Sequence, residues 1–198
     1  ILQLINTGTA GMIGVIPEIW LGVPFKVSGK VIGVLVVQSY DNPYAYNLGS
    51  MEVLEIVAHE LSIYIQHKKA ESETLKLSAA IVQSPTIVVI TDPTGNIEYA
   101  NPKFSEITGY SLEEAKGNNP KILKSGKHKN EFYTGLWKTI LSGKTWHGEF
   151  QNKKKNGELY WENALIAPLI DSDGNITNFV AVKEDITEKK KMIEELII

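Results

Sequence analysis

The sequence of 198 residues has no cysteine and no arginine. Without cysteine it can build no disulfide, thiolate zinc site, iron–sulfur cluster or cysteine nucleophile, a pattern that suits a reducing compartment and predicts a cytoplasmic setting. Without arginine, all 20 basic residues are lysines, so the bidentate clamps that serve phosphate and carboxylate sites are not available. The 23 acidic residues leave a net charge of −3, which argues against a nucleic-acid binder. The longest apolar stretch near the start, Val31 to Val37, is far short of the roughly 20 residues that cross a bilayer, so no membrane span is expected. The four histidines are scattered; His59 and His67, two helical turns apart, are the only near pair, and no metal site is predicted. With 43% hydrophobic and 22% charged residues, the chain has the material for one or two globular domains. It opens on Ile1 and closes on Leu196-Ile-Ile198, and both ends read as cut from a longer chain.

The first segment reads as an apolar run from Met12 to Trp20, a strand-like stretch from Leu21 to Val27, a turn at Ser28-Gly-Lys30 and a buried strand from Val31 to Tyr40. After a polar, aromatic loop, Ser50 is placed to cap an amphipathic helix whose apolar positions are Leu54, Val57, Leu61 and Tyr64 or Ile65. Nothing breaks the helical pattern before Pro85, so this helix is expected to run on as a connector, with the domain boundary inside it. Beyond it come a strand from Thr86 to Thr91, a turn at Asp92-Pro-Thr-Gly95 and a strand from Asn96 to Ala100. Asn101-Pro102 opens a short helix that Gly109 ends, and Ser111 with Glu114 forms a capping box for another. A longer helix follows from Asn130 to Leu141, then three strands, Trp146 to Asn152, Leu159 to Ile170 and Ile176 to Asp185, joined by turns at Asn156-Gly157 and Asp171 to Gly174.

That order of elements resembles the PAS sensor family, and particular words carry the likeness. They are Thr91-Asp-Pro-Thr-Gly-Asn-Ile-Glu-Tyr-Ala-Asn-Pro102, Ile107-Thr-Gly-Tyr110, Gly117-Asn-Asn-Pro-Lys-Ile-Leu-Lys-Ser-Gly126, Lys155-Asn-Gly157 and Asp185-Ile-Thr-Glu188. The resemblance implies an α+β fold: a five-stranded antiparallel sheet with helices on one face, enclosing a mostly apolar ligand pocket. Residues 1–70 resemble the C-terminal half of a GAF domain, through Trp20-Leu-Gly-Val-Pro24 and Gly29-Lys-Val-Ile-Gly-Val-Leu-Val-Val37, joined on by a long helix. The expected division is therefore 1–70 for the partial GAF-like segment and connector, 71–188 for the PAS domain and 189–198 for the start of a C-terminal signalling helix.

Light-sensing members of that family use a Cys where this chain has Pro120, which excludes a cysteinyl–flavin photocycle. Their flavin-bonding polar positions correspond here to Asn152, Glu162 and Lys183. The wording around Asn119-Pro120, Leu136-Trp137, Trp146-x-Gly148-Glu149 and Tyr160-Trp-Glu162 also resembles redox-sensing members that hold FAD. FAD is therefore the cofactor that the resemblance admits, and Asn119, Trp137, Trp146, Asn152, Glu162 and Lys183 are the candidate binding residues. Against this stands the plainer reading, in which the tryptophans are core aromatics and Glu162 pairs with Lys183 across neighbouring strands. His128 and His147, in polar neighbourhoods, are expected to be solvated rather than haem ligands. Lys153-Lys-Lys155 and Lys189 to Lys191 are expected on solvated faces. Ala58-His-Glu-Leu61 looks like a histidine-kinase phosphoacceptor box, but lacks its following Pro and any phosphate loop, so His59 is expected on a polar helix face.

At the C-terminal end Asp185 or Thr187 can cap a helix whose apolar stripe is Met192, Ile193, Leu196 and Ile197. So short a stripe is expected to pair with a second copy, making a homodimer through the terminal helices. The expected function is a sensory input and dimerisation module that reads a small ligand or redox state. Asp185 and Thr187 would relay it to an effector outside this chain, such as a histidine kinase or diguanylate cyclase. The alternative is a ligand-free PAS protein-interaction module. No nucleophile–base set points to catalysis by the chain itself.

Overall fold

The computed structural model describes residues 15–196. They form two compact units, one up to Leu75 and one from Lys76 onward.

In the first unit, β1 (Ile19–Val27) and β2 (Lys30–Ser39) make an antiparallel ribbon. Its two-residue turn has Ser28 at φ 51° and Gly29 at φ 78°, the pair of positive φ angles that matches the twist of a tight hairpin. The apolar run expected from Met12 begins outside the described residues, and the strand starts at Ile19. Helix α1 (Leu48–Val82) follows. Its cap is Asn47 rather than Ser50: the Asn47 carboxamide accepts from Ser50 N–H at 3.0 Å, and the Ser50 hydroxyl accepts from Asn47 N–H at 3.2 Å. The buried face of α1 also departs from expectation. Leu54, Ala58 and Ser62 are buried, while Val57, Leu61 and Tyr64 stay exposed. The ribbon is narrow, so the helix seats on it through one i, i+4, i+8 row. Ser62 completes the row by accepting from Lys26 N–H at 3.2 Å and donating to the Ala58 carbonyl at 2.7 Å. His59 lies on the exposed face.

In the second unit β3 (Ile87–Thr91), β4 (Ile97–Ala100), β5 (Trp146–Lys153), β6 (Leu159–Ile170) and β7 (Ile176–Asp185) form an antiparallel sheet in the order β4-β3-β7-β6-β5. Between β4 and β5 lie α2 (Pro102–Thr108), α3 (Leu112–Ala115), a 3-10 turn (Pro120–Leu123) and α4 (Asn130–Leu141). This is the α+β architecture that the sequence predicted for the segment. Its local signals hold: Gly109 ends α2 at φ 77°, and Ser111 and Glu114 form the reciprocal capping box. Asn101 does more than open a helix. Fully buried, it accepts from Val88 N–H at 3.0 Å and donates to the carbonyls of Ile81 and Thr86, tying the end of α1 to β3.

Alternation along the strands sends one set of side chains inward. They build two apolar clusters, one around Ile87, Val89, Ile97 and Phe104 with Leu123, the other around Leu136, Ile140, Phe150 and Phe179. Burying a side chain such as Phe104 contributes about 1.5–3 kcal/mol. The last helix, α5 (Thr187–Leu196), starts two residues before the predicted 189. No helix among the described residues is long and apolar enough to cross a membrane.

Candidate functional site

A cavity of about 300 Å³ opens where the two clusters of the second unit meet, at the lower end of the range for small-molecule pockets. Val89 and Ala181 line it from the first cluster, and Leu136, Ile140, Phe150 and Phe179 from the second. Besides Thr91 of β3, three larger polar side chains of the sheet reach this lining: Asn152 from β5, Glu162 from β6 and Lys183 from β7. All three are buried.

Glu162 and Lys183 are paired. The Lys183 ammonium donates to Glu162 Oε1 at 2.6 Å, with the carboxylate side chain 0% and the lysine 8% exposed. The Tyr160 hydroxyl donates to the other oxygen, Oε2, at 3.2 Å. Burial first, and the Glu162 carboxylate second, push the Tyr160 phenol far above its ordinary range, so it stays a donor. An ammonium has three N–H donors, and among the described residues one goes to Glu162. Lys183 thus has donors left for an acceptor inside the cavity, while Phe150 presents its ring 5.5 Å away. The sequence reading passed over Tyr160 as a site residue. Its signal was its position, two before Glu162 and therefore on the same face of β6.

Asn119 and Trp137 also line the cavity, beside Gly95. Asn119 is already engaged at both ends of its amide: it donates to the Gly95 carbonyl at 2.9 Å and accepts from Lys121 N–H at 3.0 Å, capping the 3-10 turn. Gly95 has φ +89°, and a Cβ there would stand 2.7 Å from the Trp137 ring and 2.8 Å from the Asn119 amide. Trp146 is the exception among the predicted binding residues. It is outside the lining and packs against Phe150 and Phe132, ring centroids 5.1 and 5.5 Å away, with Gly148 giving it room.

Asp185 and Thr187 sit together at the end of β7. Asp185 Oδ1 accepts from Thr187 N–H at 2.9 Å and from its hydroxyl at 2.5 Å, and Thr187 Oγ1 accepts from Trp161 N–H at 2.9 Å. Trp161 is the neighbour of Glu162, and Glu162 faces Asp185 across the ladder. One short chain of contacts therefore joins the cavity's carboxylate to the start of α5.

Two surface expectations need correction. His128 is half-buried, stacked on Phe132 at 4.3 Å, and its Nε2 accepts from Gln151 N–H at 2.9 Å, because α4 begins against the edge of β5. Lys190 is not merely solvated: it pairs with Glu149 at 2.6 Å and lies 4.7 Å over the Trp161 ring, holding α5 to the sheet. Lys155 is exposed at the turn, as expected, and there pairs with Glu114 of the capping box at 2.5 Å.

The PAS domain family profile matches residues 85–188, more than half of the chain. The nitrogen fixation regulatory protein of Klebsiella oxytoca is 34% identical over 107 residues, covering 54% of this chain and 22% of that protein. The hybrid signal transduction histidine kinase L of Dictyostelium discoideum is 35% identical over 126 residues, covering 62% of this chain and 7% of that protein. This chain thus spans under a quarter of the length of these curated relatives. Among solved structures, a light-oxygen-voltage domain studied with a flavin analogue superposes with a TM-score of 0.52 at 27% identity, over 61% of this chain and 93% of that one.

Proposed function

The chain belongs to the PAS domain family through residues 85–188, and on that premise we propose that it is a sensory input module whose second unit holds a small ligand in the cavity around Glu162 and Lys183. Its relatives are, by name, regulators and signalling kinases, which supports a role in signal transduction. The observation that carries the ligand reading is the buried Lys183–Glu162 pair on a mostly apolar lining. A buried ion pair is a weak device for stability and a strong one for orientation, since apolar residues of like volume fill a core at least as well.

The ligand that suits these walls is planar and apolar on its faces, with a hydrogen-bonding edge. Lys183 would give to an acceptor on that edge, Asn152 has both an acceptor and donors, and the aromatic and aliphatic walls would take the faces. A flavin ring has such an edge, with carbonyl acceptors and one ring N–H, so the residues present fit FAD. Bound there, FAD would supply redox chemistry. The chain's own part is to hold the ring edge and to exclude water with Leu136, Ile140, Phe150 and Phe179. Trp146, off the lining, supports the wall through Phe150 and is no part of the proposed contact set.

The proposed output runs from Glu162 through Trp161, Thr187 and Asp185 to α5. A ligand whose two states bind the pair differently would shift the population of α5 arrangements. We assign the chain no catalysis; the effector, a histidine kinase or diguanylate cyclase, would lie elsewhere in a longer protein. Pairing of two copies through the terminal helices along the apolar side of α5, a GAF-like origin for residues 1–70 and a cytoplasmic setting complete the reading. They rest on the sequence words and, for the pairing, on the exposed Met192 and Ile193.

The test is the absorption spectrum of the purified 198-residue chain after incubation with FAD and gel filtration. The expected result is a retained flavin spectrum that Lys183→Met abolishes while the far-UV dichroism is unchanged. A wild-type chain that emerges colourless overturns FAD as the ligand, and a Lys183→Met chain that retains FAD overturns the assigned contact.

A further inference from the structure

Strand β5 is an edge of the sheet, so on its outer side alternate backbone groups have no strand partner. At Gln151 both of those groups are taken by side chains from the segment that leads into α4. Gln151 N–H donates to His128 Nε2 at 2.9 Å, and the Ser125 hydroxyl donates to the Gln151 carbonyl. One residue on, Asn152 forms an isolated antiparallel bridge with Lys124. Residues 124–128 thus imitate a sixth strand whose rungs at Gln151 are an imidazole and a hydroxyl. The same segment continues the cavity wall, since Asn119, Pro120, Lys121 and Lys124 all line the cavity.

We propose that His128 is a proton-operated latch on this wall: neutral, it closes residues 119–128 against β5, and protonated, it lets them go. An imidazole accepts at Nε2 only while that nitrogen is bare. Once protonated, it faces the Gln151 N–H donor to donor. The surroundings offer the cation little. His128 lies on Phe132 and edge-on to Phe150 and Trp161, at 6.1 and 6.4 Å. The charged groups on the elements packed around it are Lys124, Lys127 and Lys129 on its own segment, Glu131 and the Tyr133 phenol on α4, Glu149 on β5 and Lys190 above Trp161. Glu149 is already bound by Lys190, and Lys124 lies 3.5 Å over the Tyr133 ring. In keeping with that setting, burial and then the Lys127 charge hold the His128 pKa below the ordinary imidazole range. The inference does not rest on what the cavity holds, because it concerns the wall itself.

The experiment is amide hydrogen exchange on the 198-residue chain, followed by NMR from pH 7.5 to 4.5, with the His128 ring titrated in the same samples. Protection factors, which correct for the intrinsic pH dependence of exchange, are compared for Gln151 and for amides at the centre of the sheet. The expected result is a Gln151 protection factor that falls, by up to about tenfold per pH unit, as pH drops from the ordinary imidazole range to the lower His128 midpoint and then levels off, the signature of one linked proton, while central amides hold steady. In His128→Gln, whose carboxamide oxygen accepts without titrating, the fall disappears. A Gln151 protection factor that stays flat through the wild-type His128 titration overturns the latch. So does a His128→Gln chain that keeps the same fall. The wild-type titration alone decides if the variant does not fold.

Discussion

Glu162 and Lys183 stand one diagonal step apart on β6 and β7, with Asp185 facing the first and Ala164 facing the second. Their 2.6 Å ion pair is closed to water on the carboxylate side and nearly so on the ammonium side. Removing one member strands the other. Lys183→Met is therefore expected to cost about 3–5 kcal/mol, and Glu162→Leu with Lys183→Met together much less than the sum of the two singles. Urea unfolding of the two singles and the double variant measures this; additive losses would mean that the pair is not a unit.

Asp92 and Asp171 close two similar loops. Asp92 accepts from the Thr94 hydroxyl and from the Asn96 and Thr94 N–H groups, and these bonds, the Thr94 hydroxyl foremost, lower its pKa to about 2. Depressed in the folded state, its carboxylate contributes stability that is complete above the ordinary carboxylate range and is lost as pH falls from about 4 towards 2. Acid unfolding of Asp92→Asn is expected to lack this part of the pH dependence. An unchanged slope between those limits would show that the loop is intact in the unfolded reference or that its bonds do not act.

Gly95 and Gly174 both take positive φ, +89° and +86°, but only Gly95 is crowded. Gly174→Ala should lose about 1 kcal/mol through backbone conformation alone. Gly95→Ala should lose that and more, since a Cβ would press on Trp137 and Asn119. The comparison by thermal unfolding isolates the crowding, and tryptophan fluorescence should change for Gly95→Ala only.

Thr187 spends its hydroxyl on Trp161 and Asp185, whereas Asp185 caps α5 alone. Loss of a cap costs about 1 kcal/mol. Asp185→Ala is expected to fray α5, seen as faster amide exchange from 188 onward, and Thr187→Ala to do so while also exposing the Trp161 amide. If Trp161 exchange is the same in both variants, the strand-to-helix link runs through Asp185 and not Thr187.

Most of the second unit was legible because its signals are local. The bounds of α4, β6 and β7 follow from apolar period and from turns that need glycine, and those demands do not depend on distant parts of the chain. Glu162 and Lys183 could be found as candidates from their place in the motif, and their pairing from strand alternation. What the sequence did not show was reach. His128 and Lys190 read as solvent residues because their neighbours in sequence are polar, yet their partners Gln151 and Glu149 lie 23 and 41 positions away. Trp146 looked like a pocket wall because aromatic residues suit either role, and only packing against Phe132 and Phe150 separates them. On α1, Val57 and Leu61 have the right period for a buried face, but the ribbon beneath is too narrow to cover them.

Strands β3 and β7 are neighbours in the sheet and antiparallel, with Ile87 facing Lys183. The chain therefore enters the sheet of the second unit beside the point where it leaves that sheet for α5. Tension applied between Thr86 and Ile186 pulls along the rungs of this ladder, so it peels them one at a time from the Ile87–Lys183 end and does not shear them together. The second unit is mechanically soft along the line joining its own entry and exit, and the first rung to open carries the lysine of the cavity.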